Sequence, residues 1–245
     1  MTRSRPILLM TRPRAASERF VAGLDPDALA GVEVLHAPLM EIAMRPDPVD
    51  LGAVRGLIFT SANGVAAAAA RCTRRDIPAF CVGPGTTRAA RQAGWPAQQA
   101  GIDADSLVAE LQRRRPDAPL LHIRGSHARG DIAARMSRAG IPTHAQVLYD
   151  QRACEIPAGA LARISQAGDV IAPLFSPRSA RLFRAAMPAR PYLVAALSPA
   201  VAQQAAAPPG WSVHVCDAPD GAAMTRLVEK LLRDRSRVEG ARLAD

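Results

Sequence analysis

Aromatic side chains and lysine are scarce in this sequence. Phenylalanine, tryptophan and tyrosine make up 4% of its 245 residues, so few rings are available to stack on nucleic-acid bases. The formal net charge is +9, almost entirely from arginine because Lys230 is the single lysine, which favours a negatively charged partner. Zinc-finger spacings and basic-region heptads are missing. We therefore expect a polyanionic small molecule as the partner, and no nucleic acid.

Paired cysteines and long apolar runs are also lacking. The cysteines are far apart, form no C-x-x-C pair and have no histidine at zinc-ligand spacing; they are Cys72, Cys81, Cys154 and Cys216. No apolar run approaches the roughly 18–20 residues of a transmembrane helix, and the N-terminal "ILLM" is shorter than a signal-peptide core of about 7–15 residues. These absences predict a cytoplasmic protein without disulfides, without a metal and without membrane contact.

Three pairs of similar segments occur along the chain. Each segment joins a short apolar run to a turn rich in Gly, Ser or Pro and then to a helix-like stretch. Strand–turn–helix units of this kind form parallel sheets that helices cover on both faces. The pairs are residues 7–31 with 120–140, 57–70 with 170–186, and 79–95 with 193–211. The repetition predicts two similar, doubly wound α/β domains.

The order of the copies predicts where the domains begin and end. Residues 1–37 and 152–245 would form a first, discontinuous domain, and residues 42–144 would form a second domain inserted into it. The two crossings, residues 38–41 and 145–151, are short and strand-like. We expect them to pair with each other as a two-stranded linker.

Small polar residues follow several predicted strands. In open parallel sheets, ligands bind at the carboxyl ends of the strands, where helix N-termini present unpaired N–H groups. The segment "LIFTSANGV" places hydroxyls and an amide at such an end, as "VGPGTT", "IRGSH", "FSPRS" and "LSP" do elsewhere. Any one of these turns, taken alone, is better explained as a helix cap. Several of them around one cleft indicate a site for carboxylates or phosphates.

Familiar catalytic groupings are missing. The five histidines fall into no triad or metal-ligand spacing, and acidic residues are few near the polar turns. The turn "GPGTTR" has neither the GxGxxG spacing nor the lysine of a nucleotide-binding loop. If the protein is an enzyme, the sequence predicts that it works mainly by positioning its substrate.

The ordered motifs resemble the uroporphyrinogen-III synthase family. They are "LLMTRP", "VEVLHAPLMEI", "LIFTSANGV", "CVGPGTTRAARQAGW", "LLHIRG", "VLYDQ" and "LFSPRSARLF", and the resemblance covers residues 6 to about 232. It implies two flavodoxin-like α/β domains with parallel sheets, a two-stranded linker and an active site in the cleft between the domains. It also implies that no cofactor or metal is needed and that the substrate is hydroxymethylbilane, a linear tetrapyrrole whose rings carry carboxylate arms. We expect a monomer.

The resemblance also implies roles for individual residues. Tyr149, in "VLYDQ", matches the position of a tyrosine that assists departure of the substrate hydroxyl, although packing at the hinge explains it as well. The residues expected to bind substrate are Arg12, Thr60, Ser61, Asn63, Gly83, Thr86, Arg124, Gly125, Ser176, Ser179 and Ser198.

One turn departs from the family pattern. Where family members often have Gly-Pro-Thr-Thr in the C-terminal domain, this chain has Ser198-Pro199-Ala200-Val201, so that two hydroxyls are lost. The departure leaves two functions open. One is a uroporphyrinogen-III synthase, and the other is a catalytically inactive, two-lobed tetrapyrrole- or anion-binding regulatory protein with the same fold.

Overall fold

The computed structural model describes residues 5–128, 130–205 and 210–241. In chain order the strands are β1 (Ile7–Met10), β2 (Glu33–His36), β3 (Met40–Met44), β4 (Gly56–Phe59), β5 (Ala79–Val82), β6 (Ala97–Gly101), β7 (Leu120–Gly125), β8 (Thr143–Ala153), β9 (Val170–Leu174), β10 (Leu193–Ala196) and β11 (Ser212–Val215). The helices are α1 (Arg14–Val21), α2 (Ala62–Ala69), α3 (Gly83–Gln92), α4 (Ala104–Arg114), α5 (Ile132–Arg138), α6 (Ala158–Gln166), α7 (Pro177–Ala186), α8 (Pro199–Ala205) and α9 (Gly221–Ala241).

The chain divides into two compact units. Unit 1 consists of Met1–Glu41 and Ala153–Asp245, and unit 2 consists of Ile42–Arg152. The predicted α/β class with mostly parallel sheets is confirmed: unit 1 contains the sheet β11-β10-β9-β1-β2, and unit 2 contains β6-β5-β4-β7-β8 with β3 added at its edge.

Successive residues of the central strands point alternately to the two faces of each sheet, and both faces are buried. In β1, Ile7 and Leu9 pack on one side while Leu8 and Met10 pack on the other. Helices α6, α7 and α8 cover the first side, and α1 and α9 cover the second. Unit 2 repeats the three layers, with α2 and α3 on one face and α4 and α5 on the other. This two-sided burial explains why the strands are almost continuously apolar.

The three predicted repeat pairs occupy equivalent places in the two sheets. Reading the sheets in the same direction, β1 corresponds to β7, β9 to β4, and β10 to β5. These correspondences connect the same three pairs of segments that the sequence comparison paired. Residues 206–209, near the end of the third pair, lie outside the described residues. Unit 1 starts on β1, the strand equivalent to β7, whereas unit 2, after the edge strand β3, continues on β4, the strand equivalent to β9. The units therefore share one arrangement of strands but enter it at different points.

The two crossings between the units lie on neighbouring strands, β3 and β8. The N–H of Cys154 donates to the carbonyl of Leu39 at 3.0 Å, and the N–H of Arg45 donates to the carbonyl of Leu148 at 2.8 Å. Because one partner number rises as the other falls, the two strands run antiparallel. The second crossing is part of β8 (Thr143–Ala153), which also pairs with β7 along Leu120–Gly125. It is thus both a crossing and a strand of the sheet of unit 2.

Candidate functional site

Each sheet contains one point at which the direction of its connections reverses. In unit 2 the chain passes from β4 through β5 to β6, then returns to place β7 on the other side of β4. In unit 1 it passes from β1 to β2 and later places β9 on the other side of β1. Ligands of open α/β sheets bind at the carboxyl ends of the strands beside such reversals. The residues that follow β4 and β7, and those that follow β1 and β9, are therefore the first to consider.

In unit 2, Tyr149 reaches across a neighbouring strand to Ser61. The register pairs Gly125 of β7 with Tyr149 of β8, and continuing the β4–β7 register by two residues places Ser61 opposite Gly125. The oxygens of the two hydroxyl groups are 2.7 Å apart, a short hydrogen bond in which either group can donate. The Tyr149 ring is 3% exposed and packs in the core on the α2 side of the sheet.

Gly125 provides the space through which the tyrosine passes. A Cβ built on Gly125 would lie 2.6 Å from Cε2 and 2.8 Å from Cζ of Tyr149, well inside van der Waals contact. Every other amino acid at this position would displace the ring or the strand. The sequence indicated Gly125 as a substrate-binding residue, and the structure shows that its lack of a side chain makes room for the predicted catalytic residue.

The surroundings of Tyr149 keep its phenol protonated at neutral pH. Burial raises the pKa of Tyr149 above its ordinary value of about 10, and the hydrogen bonds to Ser61 and to the Gly125 backbone only partly oppose this shift. The adjacent Asp150 behaves in the opposite way, because hydrogen bonds from Arg45 and Ser126 lower its pKa. Arg45 holds both oxygens of this carboxylate, at 3.0 and 2.8 Å. Of these two neighbours, Tyr149 is the one with a proton to donate.

Ser61 also begins helix α2. Its backbone is extended, and its Oγ accepts a hydrogen bond from the N–H of Gly64 at 3.3 Å, as an N-cap residue does. The same hydroxyl therefore caps the helix and contacts the phenol. The cap is one of the two explanations considered for this serine from sequence, and a role in binding substrate stays a prediction.

In unit 1, the corresponding reversal brings Arg12 onto Phe175. Continuing the β1–β9 register by four residues from Leu8 and Ile171 places these two side by side. Cζ of Arg12 lies 3.9 Å from the centroid of the Phe175 ring, a cation–π contact. Phe175 precedes the predicted Ser176, but an aromatic residue in "LFSPRS" gives no hint of function until the order of the strands is known.

Ser176 and Ser179 form a capping box at the start of α7. The N–H of Ser179 donates to Oγ of Ser176 at 3.1 Å, and the N–H of Ser176 donates to Oγ of Ser179 at 3.0 Å. Ser179 is buried, and its hydroxyl also donates to the Ser176 carbonyl at 2.8 Å. Ser198 stands immediately before α8, where its carbonyl accepts from the N–H groups of Val201 and Ala202 at 3.0 Å.

The remaining predicted residues lie at the same edge of the unit 2 sheet. Thr60 follows β4, while Asn63 and Thr86 lie in the first turns of α2 and α3. Gly83 begins α3 with φ +73°, a conformation that favours glycine. Arg124 is half-buried on β7, and its Nη1 donates to the Gly125 carbonyl at 3.4 Å. Within the described part of the chain, Ser61 is the predicted binding residue whose side chain hydrogen-bonds to Tyr149.

Neither a metal-ligand cluster nor a membrane-spanning helix is found in the described residues. Across residues 5–128, 130–205 and 210–241, no three His, Cys, Asp or Glu side chains are placed to hold a metal ion together. In the same part of the chain, no helix combines the length and apolarity that crossing a membrane requires.

A family model described as uroporphyrinogen-III synthase HemD matches residues 28–226 of the sequence. The chain belongs to the uroporphyrinogen-III synthase family. This confirms the resemblance drawn from the ordered motifs. No curated protein matches the sequence.

Two solved structures named as uroporphyrinogen-III synthases match the chain, and one of them shares its fold. The chain resembles uroporphyrinogen-III synthetase from Helicobacter pylori 26695 with a TM-score of 0.64 and 15% identity, over 93% of this chain and 99% of that one. A mutant uroporphyrinogen III synthase from the extremely thermophilic bacterium Thermus thermophilus matches with a TM-score of 0.49 and 13% identity, over 94% and 100% of the two chains. The likeness to the Helicobacter pylori protein supports a two-domain fold typical of the uroporphyrinogen-III synthase family.

Proposed function

We propose that this chain catalyses the reaction after which the uroporphyrinogen-III synthase family is named. Hydroxymethylbilane would lose its terminal hydroxyl as water, close into a macrocycle and have its last pyrrole ring inverted, giving uroporphyrinogen III. The reaction removes one water without oxidation or reduction. The protein would then act as a cyclising lyase in the synthesis of haem, sirohaem or cobalamin.

The observation that carries this proposal is the protonated phenol of Tyr149 at the reversal point of unit 2. Its pKa is raised by burial, and its oxygen lies 2.7 Å from that of Ser61. A phenol in this state donates a hydrogen bond to the departing hydroxyl while Ser61 holds the phenol oxygen in place. The pyrrole nitrogen of the substrate supplies the electrons that expel the hydroxyl, so the assistance required from the protein is modest.

Directing ring closure is the larger task for the protein. The bilane closes without inversion when left alone, giving the type I isomer, so the enzyme must decide which carbon attacks. Holding the carboxylate arms of the substrate in fixed positions achieves this, because positioning removes the freedom that favours the unwanted closure. The strand-end residues of both units, including Arg12 and Arg124, are the groups proposed to hold those arms.

The decisive experiment is analysis of the product. Purified protein is supplied with hydroxymethylbilane, without added metal or nucleotide, and the isomers are separated after oxidation to porphyrins. We expect the type III isomer in excess over a protein-free sample. Folded protein that yields the type I isomer at the spontaneous rate would contradict the proposal and favour the inactive tetrapyrrole- or anion-binding relative. Cytoplasmic location and a monomeric state stay predictions.

A further inference from the structure

Strand β8 contains one extra residue immediately before Tyr149. The parallel register of β7 with β8 pairs Arg124 with Val147. The next pair is Gly125 with Tyr149, so that the register skips Leu148. One strand thus uses two residues where its neighbour uses one, which defines a β-bulge.

The bulge turns Tyr149 to the α2 face of the sheet. Successive residues of a regular strand point to opposite faces, but Leu148 and Tyr149 both pack in the core on the α2 side. In a β8 without the extra residue, Tyr149 would share the face of Val147, opposite to that of Leu148. Its hydroxyl could not then reach Ser61 across β7. The hydrogen bond between Tyr149 and Ser61 therefore depends on the bulge.

Arg45 binds the residue before Tyr149 and the residue after it. Arg45 directly follows β3, and its N–H donates to the carbonyl of Leu148 at 2.8 Å. Its guanidinium donates to both oxygens of the Asp150 carboxylate, from Nε at 3.0 Å and from Nη2 at 2.8 Å. A two-point contact of this kind fixes direction as well as distance. One arginine thus holds β8 on both sides of Tyr149.

Arg71, just beyond α2, links Arg45 to the helix that Ser61 caps. Nη1 of Arg71 donates to the carbonyl of Ala67 on α2 at 3.0 Å, and Nη2 donates to the carbonyl of Arg45. The other end of the same helix carries Ser61, whose hydroxyl contacts the phenol of Tyr149. Arg45 therefore connects the strand that carries the tyrosine with the helix whose cap contacts it.

We propose that Arg45 and Asp150 position Tyr149 by holding the β-bulge at Leu148. The inference rests on the proposed function, in which the Tyr149 phenol assists departure of the substrate hydroxyl. Both are positioning residues, since they act on Tyr149 through the backbone of β8. Their side chains are 41% and 24% exposed, so the ion pair adds little to overall stability. Its loss should loosen the bulge without unfolding the protein.

Steady-state kinetics with hydroxymethylbilane test the effect on catalysis. Arg45→Gln should lower kcat roughly 10-fold, less than complete removal of the phenol, because a displaced acid still assists in part of the molecules. KM should change little. Arg45→Lys should recover only part of the loss, since an ammonium keeps the charge but not the two-point contact. The matched control is Arg135→Gln, which breaks the ion pair of unit 2 with Asp105 at 2.7 Å and should leave kcat unchanged.

Combined variants show whether the effect passes through Tyr149. In Tyr149→Phe, which has no phenol to position, Arg45→Gln should cause no further fall in kcat. An equal fall in both backgrounds would overturn the proposal and give Arg45 a general structural role. Asp150→Asn should also lower kcat, and together with Arg45→Gln it should lower kcat no further than Arg45→Gln alone. Independent, additive losses would overturn the assignment of the two residues to one positioning pair.

The place of the tyrosine ring is measured without turnover. The sequence contains two tyrosines, Tyr149 and Tyr192, so the NMR resonances of isotope-labelled tyrosine are assigned from Tyr149→Phe and Tyr192→Phe. In Arg45→Gln at neutral pH, the Tyr149 resonance should shift or split, while that of Tyr192 stays in place. A Tyr149 resonance identical to that of the wild type would overturn the proposal, whatever the kinetics show.

Two further outcomes of the NMR measurement are distinguishable. If both tyrosine resonances move, Arg45→Gln has lost its fold, and Asp150→Asn then makes the same comparison with the same expected result. If the Tyr149 resonance alone moves but the wild-type protein makes no type III isomer, the positioning of Tyr149 stands and the proposed reaction fails.

Discussion

The phenol oxygen of Tyr149 lies 2.7 Å from the hydroxyl oxygen of Ser61, although strand β7 separates the strands that carry them. The contact is possible because the residue between them is Gly125, whose backbone the tyrosine ring crosses. Tyr149 on β8, Gly125 on β7 and Ser61 just after β4 therefore form a single arrangement, in which Ser61 contacts the phenol oxygen and Gly125 leaves space for the ring.

Replacing Tyr149 by phenylalanine removes the proton donor and keeps the ring. Turnover should fall about 100-fold, the lower end of the range for positioned acid assistance, because the hydroxyl of the substrate departs readily by itself. KM should change little and the product should remain type III. The matched control is Tyr192→Phe, since Tyr192 is also buried and donates one hydrogen bond, to the Pro188 carbonyl at 3.2 Å. Full turnover in Tyr149→Phe would reduce Tyr149 to a packing residue.

Replacing Gly125 by alanine should displace the tyrosine ring. The added Cβ would lie 2.6 Å from Cε2 of Tyr149, so the hydrogen bond to Ser61 breaks or lengthens. We expect turnover to fall at least as far as in Tyr149→Phe, and the pKa of the phenol, followed by ultraviolet absorbance, to fall as the ring meets water. Gly159→Ala in α6 is the control, because nothing lies within 4 Å of its added Cβ. An unchanged titration of Tyr149 would show that the ring had not moved.

Removing the Ser61 hydroxyl has two separable effects. Ser61→Ala loses the cap of α2, at a cost of about 1 kcal/mol of unfolding free energy, and also loses the partner of Tyr149. Asp103→Ala is a matched control, because Asp103 is the N-cap of α4 and its Oδ1 accepts from the N–H of Ser106 at 2.8 Å. Both variants should lose similar stability in urea unfolding, whereas turnover should drop in Ser61→Ala alone. Equal turnover in the two would leave Ser61 with a capping role only.

Acid should destabilise unit 2 through His122. This residue is buried on β7, its Nε2 has no partner in the described part of the chain, and burial together with Arg124 lowers its pKa to about 4. The unfolded chain binds the proton at about 6.5, so stability is full above that pH and decreases as pH falls towards 4. His122→Leu should remove roughly 2–3 kcal/mol of the loss measured by urea unfolding between about pH 7.5 and 4.5.

The exposed His144 of β8 provides the control for this measurement. His144→Leu should retain the pH dependence of the wild type. If His122→Leu loses stability with acid as steeply as the wild type does, another group is responsible for the loss.

The ends of the strands could be predicted from the sequence, because an apolar run followed by small polar residues is a local pattern. At Thr60 and Ser61 this pattern marks the end of β4 and the N-cap of α2. The pairing of repeats was equally accessible, since equivalent strands bury the same kinds of residue. The contact between Ser61 and Tyr149 was not, because these residues are 88 positions apart and meet only through the strand order β4-β7-β8.

Two further features depend on three-dimensional contacts that no local pattern contains. Gly125 was indicated as a binding residue, yet its importance for the Tyr149 ring follows from a distance between two strands. Phe175 went unnoticed because its partner, Arg12, is distant in sequence and reaches it only where β1 lies beside β9. Both contacts could have been inferred once the strand order was known, because extending the strand registers places Gly125 beside Tyr149 and Arg12 beside Phe175.

Because β3 and β8 pair antiparallel, the chain leaves unit 1 and returns to it at neighbouring positions. Cys154 donates to Leu39, so continuing the ladder puts residue 41 opposite residue 152. A two-residue hairpin turn would then suffice to close unit 1 after excision of the insert. The excised segment, residues 42–152, would begin and end on adjacent strands and could be joined to itself. The two chain ends of unit 2 therefore lie side by side on one two-stranded ladder.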